Sequence, residues 1–260
     1  GVQGDVFYRA WLVDDPIASY VFLHGFGEHS GLYERFALAL NDAQINLWAL
    51  DQIGHGHTGG ERGLVESIDD LVANGRLLTS IPREAAPELP IVLAGHSLGG
   101  VAAALTIARD PSQFVGAVLS GTPLSRLSWV EAFAGDDEAE LSLELDDLSA
   151  DPWYLDALEN DPLSFTSAHG ARTLGATFPP AWAELEQTLD ERELPILLVQ
   201  GELDPIAPLA DAQAWVERLP NGTLVSFEGA KHDILNETVH ADVAAAIVRF
   251  VRQVALPDSA

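Results

Sequence analysis

Short apolar runs that alternate with helical patterns constrain the fold of this chain more than any other feature. Six runs have the length and composition of buried strands, at 21–24, 45–50, 91–94, 114–120, 196–199 and 223–227. The segments between them have helical periodicity, and 239–251 presents one apolar face. This alternation predicts an α/β fold with a mostly parallel sheet and helices on both faces. Segment 6–12 is expected to add an antiparallel edge strand.

One region interrupts the alternation. Segment 125–178 contains no convincing strand pattern, and its twelve acidic and two basic residues are interleaved with large apolar ones. These recur at helical spacing, in the sets Trp129 and Phe133, Leu141, Leu145 and Leu148, and Leu155 and Leu158. Ordinary crossover helices with a long acidic loop are the alternative. We predict a helical insertion, called the cap segment below, between a first core part, 1–124, and a second core part, 179–260.

The charge of the chain limits its partners. Forty acidic residues face thirteen basic ones, which gives a net charge of −27, and Lys231 is the only lysine. A nucleic-acid partner and strong attraction to an anionic membrane are therefore not expected, because both need a positive protein surface. Solubility explains the acidic surface most simply, and adaptation to salt is the alternative.

Other features of the composition bear on location. No apolar run is long enough to span a bilayer, and the first residues lack a basic region followed by an apolar one. A cytoplasmic location is the expectation, and a secreted form with a removed leader stays open. The chain has no cysteine, so disulfides, thiolate catalysis and cysteine-based zinc sites are excluded.

The sequence GHSLG, at 95–99, places Ser97 between a strand pattern and a helix pattern. A Gly-x-Ser-x-Gly motif is weak evidence alone. A strand, a sharp turn and a helix are the setting of a nucleophile elbow, in which the serine projects above the sheet. Gly95 and Gly99 would then leave room for the strand and the helix to approach each other. Ser97 is predicted to be a nucleophile at the positive end of the helix.

A serine nucleophile needs a base and a carboxylate that orients the base. In this type of sheet the residues occur in the order serine, acid, histidine. His232 follows the last predicted strand, and Asp204 follows the preceding one. Asp233 is adjacent to His232 and is wrongly placed to hold its imidazole. We therefore predict a triad of Ser97, Asp204 and His232.

An oxyanion formed during acyl transfer needs backbone donors. The N–H of Leu98, immediately after the nucleophile, is one candidate. The second should come from the loop after an earlier strand, where Phe26 lies in HGFGEHSG. His55 and His57 could suggest a metal pair, but no third ligand is evident, and no metal or cofactor is expected.

Six segments together carry a resemblance to a known family. They are HGFGEHSGLYERFA from His24, DQIGHGHTGGERG from Asp51, GHSLGG, NDPL, GELD and KHDILNE. With them the chain resembles the monoacylglycerol lipases of the α/β-hydrolase superfamily. The resemblance extends along the whole chain, and 24–33 is more specific than the elbow. It implies a helical cap over the active site, the triad Ser97, Asp204 and His232, and an oxyanion hole of Phe26 and Leu98.

The chain departs from this pattern at two positions. Leu32 stands where members often have arginine, and Leu235 stands where animal enzymes have a second histidine. Both changes remove polarity that could contact a glycerol head group.

These observations predict a serine ester hydrolase that releases fatty acid and glycerol from monoacylglycerols through an acyl-enzyme. A broad carboxylesterase is the alternative, followed by a lysophospholipase or a thioesterase. A non-enzymatic binding module is a different class, marked by a damaged triad or oxyanion loop, and neither is damaged in this sequence. A small lipid or ester is the expected partner, with no stable membrane insertion and at most a transient contact through the cap segment.

Overall fold

Seven strands form one sheet in the computed structural model, which describes residues 1, 4–133 and 142–256. The strands are β1 (Tyr8–Trp11), β2 (Ala18–Leu23), β3 (Ile45–Leu50), β4 (Ile91–His96), β5 (Gly116–Ser120), β6 (Ile196–Gly201) and β7 (Gly222–Phe227). Their order across the sheet is β1-β3-β2-β4-β5-β6-β7. β1 pairs with β3 antiparallel, and every other pairing is parallel. The predicted fold class and the antiparallel edge are confirmed.

Helices cover both faces of the sheet. They are α1 (Glu34–Asp42), α2 (Ile68–Ala85), α3 (Ser97–Arg109), α4 (Ser128–Glu131), α5 (Leu145–Leu148), α6 (Pro152–Asn160), α7 (Gly170–Thr188), α8 (Leu209–Arg218) and α9 (His240–Ala255). Short 3₁₀ helices occupy Ser30–Tyr33, Pro111–Gln113, Leu189–Glu191 and Ile234–Asn236. α1 and α9 share one core, and α2, α3, α7 and α8 share the other.

The strand sequences explain these two cores. Side chains alternate between the faces of a strand, so a strand buried on both faces is apolar throughout. Val21 and Leu23 of β2 enter the core that contains α3, whereas Tyr20 and Phe22 enter the core that contains α1. All six residues of β2 are buried, as are all six of β4.

The described residues between β5 and β6 form helices and loops. Trp129 and Phe133 contact each other, with ring centroids 6.2 Å apart. Leu141 lies outside the described residues. The expected boundary at 178 falls inside α7, which continues to Thr188 because Ala181, Trp182 and Leu185 are buried against the core that contains α3.

No helix in the described part of the chain combines the length and apolar character needed to cross a bilayer.

Candidate active site

The backbone at Ser97 has the strain expected of a nucleophile elbow. Ser97 begins α3 directly after β4, and its φ is +48°, a left-handed conformation that is uncommon for residues other than glycine. A Cβ added to Gly95 would overlap the carbonyl oxygen of Gly99, and a Cβ added to Gly99 would overlap that of Leu23. Only glycine fits at both positions. Strand and helix therefore approach closely, and the Ser97 hydroxyl projects beyond the carboxyl end of the sheet.

His232 and Asp204 reach this hydroxyl from the two neighbouring loops. His232 Nε2 lies 3.0 Å from Ser97 Oγ, and His232 Nδ1 lies 2.8 Å from Asp204 Oδ2. Asp204 follows β6 and His232 follows β7, so parallel strands bring both side chains to one edge of the sheet. The three residues predicted from the sequence thus form a continuous chain of hydrogen-bonding atoms. This arrangement can transfer a proton from a serine hydroxyl to a buried imidazole.

The Asp204 carboxylate is fixed by its own loop. Its Oδ1 accepts hydrogen bonds from the backbone N–H groups of Ile206 and Ala207, at 2.8 and 2.9 Å. Its Oδ2 accepts from Gln200 Nε2 at 2.7 Å, in addition to its contact with His232. These donors stabilise an ionised carboxylate that faces the imidazole.

The two predicted oxyanion donors belong to the elbow and to the turn after β2. Leu98 is the second residue of α3, where backbone N–H groups have no partner within the helix. Phe26 lies in the turn after β2, and its side chain lines the pocket at Ser97. The Leu98 side chain is buried in the core, so only its backbone can serve the site.

An apolar pocket opens above Ser97. Its cavity volume is about 20 Å³, roughly the space of one water molecule. The cap segment supplies most of the apolar lining, in Trp129, Leu143, Leu148, Leu158, Phe165, Leu174 and Phe178. Phe165 N–H donates to the Gly27 carbonyl at 3.0 Å, and this bond joins the cap segment to the loop that contains Phe26.

A second set of polar residues lies behind the triad, and the sequence reasoning did not assign it a role. Glu28, His96 and Asp233 are buried and line the pocket, and Tyr154 of α6 lies between the two carboxyl groups. As expected, Asp233 does not hold His232, since its Oδ1 contacts His96 Nε2 at 2.9 Å. The signal present in the sequence was the placement of acids next to motif histidines, as in GEHS and KHD.

The protonation of the buried histidines differs with their partners. Burial alone would lower the pKa of His96, but its hydrogen bond to Asp233 and the nearby acids raise it to about 9. Burial lowers the pKa of His55 to about 3, and that ring packs against Phe26 and Phe165. Burial also raises the pKa of Tyr154 far above its usual value of 10.0, and Asp233 and Glu28 add to the effect.

His169 and His240 do not line the pocket at Ser97. His169 contacts Glu61 at 2.8 Å on the surface, and His240 begins α9 and is half-buried. In the described part of the chain, no third metal-type ligand lies beside His55 and His57. His96, His232 and Asp233 do cluster, but hydrogen bonds to protein atoms already occupy their facing atoms.

The fold and this geometry define a serine hydrolase of the α/β-hydrolase superfamily. The chain belongs to the serine aminopeptidase S33 family, whose profile matches residues 14–239. It is 30% identical over 255 residues to a monoacylglycerol lipase of Mycolicibacterium smegmatis, covering 91% of this chain and 89% of that protein. It is 31% identical over 246 residues to the monoglyceride lipase of Homo sapiens, covering 89% and 81%.

Solved structures agree. A crystal structure of a monoacylglycerol lipase from Paleococcus ferrophilus matches with a TM-score of 0.80 and 25% identity, covering 95% of this chain and 98% of that one. The resemblance drawn from the sequence motifs is confirmed, and so is the expectation of a serine ester hydrolase.

Proposed function

We propose that this protein hydrolyses monoacylglycerols to fatty acid and glycerol through an acyl-enzyme on Ser97. The 3.0 Å contact between Ser97 Oγ and His232 Nε2, at the base of a narrow apolar pocket, is the observation that carries the proposal. The names of the relatives support the same substrate class.

The mechanism assigns one task to each residue. His232 Nε2 accepts the Ser97 proton as Oγ attacks the ester carbonyl carbon, and Asp204 orients the imidazole and stabilises the imidazolium. The oxyanion accepts hydrogen bonds from the N–H groups of Phe26 and Leu98. The imidazolium then donates its proton to the departing alcohol oxygen. Water, deprotonated by His232, attacks the acyl carbon, and Ser97 recovers its proton as the fatty acid leaves.

The lining of the pocket supports an alkyl ester as the substrate, because its apolar side chains suit an acyl chain. Leu32 and Leu235, the two departures from the resembled pattern, are both buried in the core shared by α1 and α9. The polar lining near the serine belongs to Glu28, His96 and Asp233.

Transient contact of the cap segment with a lipid surface belongs to the same proposal. Trp153 of α6 is half exposed, which suits contact with an apolar surface. The net charge of −27 opposes lasting attachment to an anionic lipid surface.

The nucleophile is tested with a phosphonate probe and a serine-to-alanine pair. Ser97→Ala is expected to abolish labelling and to lower kcat by at least about 10⁴-fold. Ser112→Ala is the control, because Ser112 lies in a surface 3₁₀ helix and hydrogen bonds to Asp110. A label on another serine would contradict the assignment.

The substrate class is tested with esters that differ only in the alcohol. We expect a higher kcat/KM for 1-monooctanoylglycerol than for ethyl octanoate, both below their solubility limits. Equal values would favour the broad carboxylesterase. Faster cleavage of octanoyl-CoA or of a lysophospholipid would favour a thioesterase or a lysophospholipase.

A further inference from the structure

Four buried side chains behind the triad connect the cap segment to the turn after β2 that contains Phe26. This turn is called the oxyanion turn below. Tyr154 Oη of α6 lies 2.7 Å from Glu28 Oε1 and 2.8 Å from Asp233 Oδ2. Asp233 Oδ1 lies 2.9 Å from His96 Nε2. All four side chains are at most 5% exposed, and Tyr154 is fully buried. The Tyr154 hydroxyl therefore joins the two ends of one continuous network.

One end of this network holds the backbone beside the oxyanion hole. Glu28 Oε2 accepts hydrogen bonds from Gly25 N–H and from the Tyr33 hydroxyl, each at 2.7 Å. Gly25 directly precedes Phe26, the proposed donor. The orientation of the Phe26 N–H therefore depends on where the Glu28 carboxyl group is held.

The other end lies against the catalytic base. The rings of His96 and His232 have centroids 4.9 Å apart. His96 Nδ1 lies 3.0 Å from the Ser120 carbonyl, so Nδ1 carries a hydrogen. Asp233, next to His232 in the chain, also donates its backbone N–H to the Leu148 carbonyl of α5 at 2.8 Å.

We infer that Tyr154 is a positioning residue, whose hydroxyl holds Glu28 and Asp233 together and thereby fixes the oxyanion turn against the catalytic base. The inference rests on the proposed role of Ser97. It assigns a task in hydrolysis to a residue of the cap segment whose hydroxyl bonds to Glu28 and Asp233 rather than to the triad itself.

The number of hydrogens in the network determines its charge. The network has three contacts, His96 to Asp233, Asp233 to Tyr154, and Tyr154 to Glu28, and each needs one hydrogen between its two heavy atoms. Tyrosine has a single hydroxyl hydrogen and carboxylates have none. A protonated His96 supplies the second hydrogen. The third must be on one of the two carboxyl groups, which leaves the buried network with no net charge.

The principal test is Tyr154→Phe, which removes the hydroxyl and keeps the ring. Its matched control is Tyr20→Phe, because Tyr20 is also fully buried and its hydroxyl has no partner among the described residues. With p-nitrophenyl butyrate we expect Tyr154→Phe to lower kcat about 10- to 100-fold with little change in KM, since a misplaced oxyanion donor acts on the transition state. Tyr20→Phe should keep the wild-type kcat.

A double-mutant cycle tests the count of hydrogens. Each of Asp233→Asn and Glu28→Gln supplies the third hydrogen from its amide, so each should lose less activity than Tyr154→Phe. In the double variant, both amide N–H groups point at the Tyr154 hydroxyl oxygen. The hydroxyl hydrogen of Tyr154 then has no acceptor in the network. The double variant should therefore lose more than the product of the two single losses. Losses that simply multiply would overturn the count.

Three results would overturn the positioning role itself. They are a folded Tyr154→Phe with wild-type kcat, an equal loss in Tyr20→Phe, and a loss confined to KM. Thermal unfolding of each variant shows that it is folded. Ser97→Ala, measured on the same ester, separates the two proposals, because full activity in that variant would reject the proposed function whatever Tyr154→Phe does.

Discussion

The imidazole of His96 retains a proton in the interior because its hydrogen bond to Asp233 and the negative charge of the nearby acids offset the cost of burying it. Its pKa of about 9 in the folded protein lies above the ordinary value of 6.5. A raised pKa of this kind stabilises the folded state fully below pH 6.5, and the contribution is lost as the pH rises through about 9. The difference corresponds to about 3 kcal/mol.

We therefore expect the free energy of unfolding to fall by about 3 kcal/mol between pH 6.5 and pH 9.5. Urea titrations across this range measure it, with His96→Gln as the variant that cannot titrate. His24, His55 and His240 do not cause this fall, because burial lowers their pKa values and stability then rises with pH around 6.5. The same slope in His96→Gln and wild type would reject this origin.

The left-handed backbone of Ser97 predicts an unusual order of stabilities. A residue with a Cβ costs about 1 kcal/mol or more at positive φ, whereas glycine adopts this conformation freely. Ser97→Gly should therefore unfold at a higher urea concentration than Ser97→Ala, by about 1 kcal/mol in free energy. Both variants lack the nucleophile, so the comparison is independent of activity.

Ser80 provides the control for that order. It lies inside α2, where glycine is about 1 kcal/mol less favourable than alanine. The Gly and Ala variants of Ser80 should thus rank in the opposite order to those of Ser97. Matching orders at the two positions would mean that the φ of Ser97 stores no strain.

The apolar runs of the sequence were sufficient to predict the strands of the sheet. The run 45–50 coincides with β3, and the others differ from their strands by one to three residues at an end. The meeting of Ser97, Asp204 and His232 at one edge of the sheet could also be predicted, because a strand end, a turn residue and a fixed order along the chain are local signals. Because these signals depend on a few neighbours in sequence, a single sequence was sufficient to predict them.

The contacts behind the triad were not predicted, because they join residues that are distant in the sequence. Tyr154 meets Glu28 across 126 positions and His96 meets Asp233 across 137, and no local pattern indicates either pair. The expected end of the cap segment at 178 falls within α7, since the two internal prolines, Pro179 and Pro180, do not end that helix. Burial of Trp182 and a hydrogen bond of 2.7 Å from its Nε1 to the Pro123 carbonyl accompany the continuous helix.

We expect the cap segment to limit the size of the substrate. Because Trp129, Phe165 and Phe178 narrow the pocket, monobutyrin should be hydrolysed faster than tributyrin when both are fully dissolved. Phe178→Ala should reduce that preference by enlarging the pocket. Phe114→Ala is the control, since Phe114 is buried outside the lining of this pocket. Equal rates on the two glycerides in wild type would contradict this role of the cap segment.

The negative charge on the surface of the protein predicts which acyl donors reach Ser97. The cap segment presents exposed acids in its described part, including Glu144, Asp146, Asp147, Asp156 and Glu159. One of its two arginines, Arg126, pairs with Glu131, and the other, Arg172, pairs with Glu66 outside the segment. A negative field at the entrance lowers the local concentration of an anionic substrate and slows its association.

Octanoyl-CoA should therefore have a lower kcat/KM than 1-monooctanoylglycerol at low ionic strength. Salt should reduce this penalty, because the Debye length falls from about 10 Å at 0.1 M to about 3 Å at 1 M, while the neutral ester should change little. The double variant Asp146→Asn, Asp147→Asn removes two of the exposed charges. It should raise kcat/KM for octanoyl-CoA at low salt only. A thioester that equals the neutral ester at low salt would place the acidic residues away from the entrance and favour a thioesterase.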